Sequence, residues 1–392
     1  MKRCYEFNIR DDWQKGHPNY MTRTFHPVGH GAFYTERFND EDGKCVFTAV
    51  YDCGASSSNR IEKAIKAAFK NTEEIDLLFI SHLHKDHING VMQLMEQCNV
   101  KRIVLPALED EVVIEALLYN YTHQAEGFDN DANKFIEKLL IGNFGSTKIT
   151  QVGNFRNNDN TPYSAVDSES VGDSLTSGKA IEVKRLNWRY YPLNLSSSNS
   201  VSIINKIAEV AKVFPSTFYL YGRLDYKEIR DVVEGIGISE CAKIYKEVFG
   251  CSHNNYSMPL VSMATVCLSS KCKRWCRKEG NTPTRCLTNC LYTGDFEATK
   301  KFDALKEIFK KFDVEVDYAK IGILQVPHHG SKHNINTDMY EDGKVCIISA
   351  GRTSKHHPDM SVLQNIQYHK SVPIIVTEID KSIQRYYVSY AD

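Results

Sequence analysis

The chain has 392 residues, 42% of them hydrophobic and 25% charged, an ordinary globular balance with room for one large domain or two average ones. A formal net charge of -1 excludes a global electrostatic pull toward nucleic acid or membranes, so any such role must come from a local patch. No apolar run reaches membrane-span length, and Met1-Lys2-Arg3-Cys4-Tyr5-Glu6-Phe7 lacks the apolar stretch of a secretory signal. The 12 cysteines are therefore expected as reduced thiols or metal ligands in a cytoplasmic protein.

In chain order, Val46 to Gly54 reads as a β-strand ending at a turn, with Asp52 at its tip. Ser56 to Ser58 and Asn59 can cap a helix that places Ile61, Ile65, Ala68 and Phe69 on one face. The apolar run Ile75 to Ile80 predicts a buried strand. Directly after it comes His82-Leu83-His84-Lys85-Asp86-His87, in which four side chains of metal-ligand type lie within six residues. Neutral imidazole and carboxylate suit zinc, manganese or iron better than calcium. Val91, Leu94 and Met95 predict another helix, and Arg102 to Leu105 a strand that stops at Pro106. This alternation indicates layered α/β structure.

The pattern weakens from Leu108 to Gly250. Helices are predicted near Asp110 to His123, Asn133 to Leu140, Tyr226 to Gly235 and Ser239 to Phe249. Gly153 to Lys179, rich in Asn, Asp, Ser and Gly, is expected as a flexible loop. A clear rhythm returns with strands at Met258 to Ser269, at Cys290 to Tyr292 before Thr293-Gly294-Asp295, and at Ile321 to Val326 before Pro327-His328-His329-Gly330-Ser331. Val345 to Ser349 and Pro373 to Thr377 complete the set. Three strands thus end in potential ligands.

Cys272, Cys276, Cys286 and Cys290 sit in pairs at the two ends of a predicted hairpin. They read either as a structural zinc site or as free thiols, with disulfides a third reading. Between the pairs, basic residues surround Trp275. A basic, aromatic-bearing protrusion suits phosphate contact and base stacking, and a solvated loop can look the same.

His82-x-His84-x-Asp86-His87 resembles, position for position, the signature of the metallo-β-lactamase superfamily. The resemblance implies an α/β fold, the αββα sandwich, with residues 1–107 as its first half and 108–250 as a large, mostly helical insertion. Residues 251–392 are its second half, carrying the basic Cys-rich hairpin 271–290. It further implies two divalent metal ions, zinc or manganese. His82 and His84 would serve the first and Asp86 and His87 the second, with Asp295 bridging and Asp52 supporting the site from behind. Pro327 to Ser331 resembles the closing motif of the ComEC-like subgroup. His328 is expected to complete the second metal site, with His329 behind it or toward substrate. At the remaining position His253 competes with Asn255, which has the subgroup's Asn-x-Ser arrangement with Ser257. Arg352, Lys355 and His357 either face an anionic substrate or form an exposed basic turn.

The chemistry implied is hydrolysis by a metal-bound hydroxide, which Asp86 would help orient. A phosphodiesterase acting on nucleic acid is the leading expectation. The alternatives are a hydrolase of thioesters, lactones or lactams, and a catalytically weak binding or regulatory module. No membrane association is expected, and the sequence leaves the oligomeric state open.

Overall fold

The structure, a computed structural model, describes residues 20–123, 128, 130–155, 165–195, 202–249, 256–265, 286–311, 318–341 and 343–389. His253, Asn255, Cys272, Cys276 and the side chain of Cys286 lie outside the described residues, as does the Trp275 protrusion.

In chain order the strands that build the molecule begin with β1 (Tyr20–Phe25), β2 (Phe33–Asn39), β3 (Cys45–Cys53), β4 (Leu77–Phe79) and β5 (Arg102–Pro106). They continue with β6 (Lys148–Gly153), β7 (Val166–Asp167), β8 (Ser174–Thr176), β9 (Ile181–Val183), β10 (Trp188–Pro192) and β11 (Leu260–Ala264). The last are β12 (Cys286–Tyr292), β13 (Ile321–Gln325), β14 (Val345–Ser349), β15 (Val372–Val376) and β16 (Gln384–Ser389). They form two eight-stranded sheets, ordered β8-β6-β5-β4-β3-β2-β1-β16 and β15-β14-β13-β12-β11-β10-β9-β7. In the first, β3, β4, β5 and β6 run parallel. In the second, β12, β13, β14 and β15 do.

The sheets pack face to face over Phe25, Phe38, Phe79, Trp188, Leu260 and Ile323. Helices α1 (Ser58–Ala68), α2 (Lys85–Ile88), α3 (Val91–Gln97), α4 (Asp110–Thr122) and α5 (Asp131–Ile141) belong to the outer layer of the first sheet. So do α6 (Ile203–Ala211), α7 (Tyr226–Ile236) and α8 (Ile238–Phe249). Residues of α9 (Ala298–Lys311) and α10 (Met360–Tyr368) cover the second sheet. This is the expected αββα sandwich. Strand β3 shows why the sequence reads as it does. Phe47, Ala49 and Tyr51 face the other sheet while Val50 and Cys53 face the helices, so apolar residues run almost unbroken along it. Among the described residues no helix is long and apolar enough to cross a membrane.

One polar network ties the sheets together. Arg23 of β1, fully buried, donates to Glu36 of β2 at 2.7 Å. The same carboxylate accepts from Tyr190, Ser262 and Tyr292 of the second sheet at 2.9, 2.7 and 2.8 Å. Burying such a pair is costly, and it persists because its oxygens are saturated by donors.

Two expectations are corrected. Residues 108–250 are not an insertion between two halves, because β6 and β8 extend the first sheet and β7, β9 and β10 the second. Residues 153–179 are not one flexible loop, since they hold β7 and β8. Strands of two or three residues are too short to show a period of two, so hydrophobic patterning misses them.

Candidate metal centre

The parallel strands of both sheets deliver their C-terminal ends to one mouth, where open α/β sheets characteristically bind ligands. Strand β4 leads through Ser81 into His82, His84 and the short helix α2. Asp52, at the tip of β3, holds that turn by accepting from the Ser81 amide at 2.7 Å and the Ser81 hydroxyl at 2.8 Å. It also accepts from His87 Nδ1 at 2.7 Å, which directs Nε2 of that ring inward. A Cβ on Gly54 would lie 2.4 Å from the Asp86 carbonyl carbon, so only glycine lets the two loops pack this closely.

Strand β12 leads into Thr293-Gly294-Asp295. The Gln325 side chain accepts from the Thr293 and Gly294 amides at 2.7 and 2.8 Å, and Ser257 Oγ accepts from the Asp295 amide at 3.0 Å. Strand β13 leads into His328 and His329, which have φ of 47° and 54°. Two consecutive left-handed residues that are not glycine store strain. They also splay the two rings, whose centroids are 6.0 Å apart with planes at 79°.

Asp295 lies at the centre. Its Oδ1 is 3.2 Å from His87 Nε2 and 3.9 Å from His329 Nε2. Its Oδ2 is 3.9 Å from both His82 Nε2 and His328 Nε2. Asp86 Oδ2 is 3.0 Å from His329 Nε2. Among the described residues, potential donor atoms gather in two groups, His82 with His87 and Asp295, and His30 with Asp86 and His329, each with its atoms within 4.8 Å of one another. His82 Nε2, His87 Nε2 and Asp295 Oδ1 are buried without a hydrogen-bond partner. Buried polar atoms are normally satisfied. Lone pairs converging this way, from imidazole and carboxylate, fit divalent zinc or manganese.

The same convergence shifts the titrating groups. Burial opposes charge on Asp295, yet His328 and His87 hold it well below the usual carboxylate range. Burial, with His87 and His84 nearby, pushes His82 well below the imidazole range. Burial acts the same way on His87 but is outweighed by Asp295, Asp52 and Asp86, which raise it. Burial raises Asp52 despite His87 and Ser81.

The sequence-predicted residues fall as follows. His82, Asp86, His87 and Asp295 converge, and Asp52 stands behind His87. The ring of His84 is 4.6 Å from that of His82, but its Nε2 turns outward to Glu115. The expected order of the histidine pair is changed. His329, not His328, meets Asp86, with its Nδ1 donating to the Ser349 carbonyl at 2.8 Å. His328 takes the other oxygen of Asp295, 24% exposed at the mouth, its Nδ1 3.0 Å from Asn334 Oδ1. His357 lies at the mouth too, its ring 5.7 Å from that of His328. The Arg352 side chain is exposed, its backbone amide bonded to Glu378. His30, between β1 and β2, was not foreseen. Its ring lies 3.9 Å from that of His329, tilted by 36°, and burial and that neighbour lower it to about 3. Its only signal in the sequence is a His between two glycines.

The place of Cys290 in the four-cysteine zinc site is also corrected. Cys290 is fully buried in the core between the sheets, where desolvation pushes its thiol up to about 12. It faces the Arg23–Glu36 network and is not available to a hairpin metal.

Residues 41–195 match the family model described as metallo-beta-lactamase superfamily. The chain is similar to ComE operon protein 3 of Bacillus subtilis (strain 168), 33% identical over 101 residues that cover 25% of this chain and 12% of that protein. It is similar to ribonuclease Z of Trichodesmium erythraeum (strain IMS101), 34% identical over 83 residues that cover 19% of this chain and 24% of that protein. The matched region is thus at most about a quarter of either relative's length. Against the solved structure of unliganded yeast PDE1 the chain aligns over 95% of its length and 99% of that chain, at 8% identity and a TM-score of 0.36.

Proposed function

From its place in the metallo-β-lactamase superfamily, whose domain model spans residues 41–195, we propose that this hydrolase works with two divalent metal ions and cleaves phosphodiester bonds of nucleic acid. One observation carries the reading. Buried imidazole nitrogens approach both oxygens of Asp295 with no hydrogen bond to satisfy them. The nucleic-acid part is supported by the name of one relative, ribonuclease Z, and by the basic residues around Trp275.

When bound, two such ions would lower the pKa of a water nucleophile and stabilise charge on the attacked centre. His82, His84 and His328 would hold the one on the Oδ2 side of Asp295. Asp86, His87 and His329 would hold the one on the Oδ1 side, with His30 next to them. Asp52 and the Ser349 carbonyl each accept a proton-bearing Nδ1, so Nε2 of His87 and His329 is the atom facing inward and would supply its lone pair once an ion displaced its proton. His30 and His357, lowered to about 3 and about 4 chiefly by burial, are neutral at pH 7 and offer uncharged hydrogen-bonding groups at the mouth.

The test is to load the purified chain with zinc or manganese and offer it DNA, RNA and bis-p-nitrophenyl phosphate. Cleavage is expected, and the double variant His82→Ala/His84→Ala should abolish it. A wild-type chain holding two metal equivalents that leaves all three intact would overturn the phosphodiester assignment. Turnover of a thioester or lactam instead would favour the carbonyl-substrate alternative.

A further inference from the structure

Glu115 is a buried carboxylate, 3% exposed, in the middle of α4. The chemistry above makes no use of it. Burying a carboxylate is costly unless strong partners meet it. Among the described residues its hydrogen-bond partners are two side chains. His84 Nε2 lies 3.0 Å from Oε1 and 3.3 Å from Oε2, and the Tyr245 hydroxyl of α8 donates to Oε1.

The contact decides what His84 can do. A carboxylate only accepts, so Nε2 carries the proton and the lone pair of the neutral ring is on Nδ1. The ring orientation is fixed as well. Tyr119, one helical turn past Glu115, stacks on His84 with centroids 3.8 Å apart and planes at 13°. Asn120 then clamps the backbone on either side of His84. Its amide donates to the Leu83 carbonyl at 3.0 Å, and its carbonyl accepts from the Lys85 amide at 2.8 Å. Helix α4 therefore grips this loop through three side chains, and α8 braces the grip through Tyr245.

We propose that Glu115, braced by Tyr245, is a positioning residue that locks the orientation and tautomer of His84 and so sets the metal affinity of the His82/His84 side of the centre. This rests on the two-metal reading above, and it gives the helical layer built by residues 108–250 a task at the site. Partners of this kind behind a ligand histidine are worth about 10–100-fold in metal affinity.

The experiment is a zinc titration of the metal-free full chain against a chromophoric chelator, with the visible spectrum of the cobalt-loaded chain as a second readout. Glu115→Ala is expected to weaken one of two sites by about 10–100-fold and leave the other unchanged, with a shifted cobalt spectrum. Tyr245→Phe should move the same site in the same direction by less. Glu115→Gln, whose amide oxygen still accepts from Nε2, should recover part of the loss. Thermal melting of the metal-free variants separates folding from binding. Both sites titrating as in wild type in Glu115→Ala and Tyr245→Phe would overturn the proposal. So would a loss that affects both sites equally and follows the melting temperature. A wild-type chain that takes up one metal would overturn the two-metal reading, while the Glu115 variants would still report on that one site.

Discussion

Asp52→Ala should cost stability even with every metal removed. The fully buried carboxylate accepts three bonds, from the Ser81 amide, the Ser81 hydroxyl and His87 Nδ1, all within 2.8 Å. The Ser81 hydroxyl can turn to the nearby His82 Nδ1, 2.9 Å away, and His87 Nδ1 keeps a 3.3 Å contact with Ser81 Oγ, but the Ser81 amide loses its acceptor. An unsatisfied buried donor costs about 1–3 kcal/mol. Asp52 also has φ of 55°, a conformation Asp tolerates better than Ala, which adds to the loss. A domain of ordinary stability, about 5–15 kcal/mol, would remain folded but with a much lower denaturation midpoint. Urea unfolding in excess chelator, followed by circular dichroism, measures this directly. A midpoint and slope equal to wild type would refute the claim that Asp52 is the hydrogen-bonding anchor of the loop.

Other outcomes follow from the same geometry. His329→Ala should remove one of two metal equivalents on elemental analysis, while His328→Ala keeps binding on the Asp86 side; equal losses would refute the division between the two oxygens of Asp295. Gly54→Ala places a methyl 2.4 Å from the Asp86 carbonyl carbon, so α2 must shift. A thermal-melt loss of about 1–3 kcal/mol and reduced metal content are expected, and wild-type values of both would sink the packing argument. Burial, with Arg385 and Arg37 nearby, lowers His26 from 6.5 to about 3. The unfolded chain then binds a proton that the folded chain refuses. Stability is fully present above pH 6.5 and is lost as pH falls toward 3, by about 5 kcal/mol over the whole window. Urea melts of metal-free wild type and His26→Gln at pH 7, 6, 5 and 4 should show a shallower slope in the variant, and parallel slopes would contradict the assignment.

What could be read from the sequence was what lies contiguous in it. His82 to His87 follow a single strand tip, so their spacing alone announces a centre, and Asp295 is recognisable because Gly294 places it just past another strand. His30 is different, since it reaches His329 only once β1–β2 and β13 have been brought together by the pairing of two sheets. The order of His328 and His329 is decided by two left-handed backbone conformations, which no pattern of polarity encodes. Glu115 read as part of an ordinary helix, because its role depends on a contact with His84 across packed layers. Cys290 misled through its spacing to Cys286. In β12 it shares with Tyr292 the side facing the core, and strand alternation weighs more than the resemblance to a zinc hairpin.

Strand β16 has a consequence of another kind. It pairs with β1 along six positions, from Tyr20 opposite Ser389 to Phe25 opposite Gln384, so the end of the described chain closes the edge of the sheet that its beginning would leave open. Without it, β1 would present a row of unpaired amides and carbonyls above Met21 and Phe25, a surface that recruits strands from other molecules. Outermost among the described strands, β16 shows solvent the exposed charge of Arg385, a deterrent to further pairing. Residues far from any ligand thus set which strand forms the edge, and shortening the chain before Gln384 would expose β1 in its place.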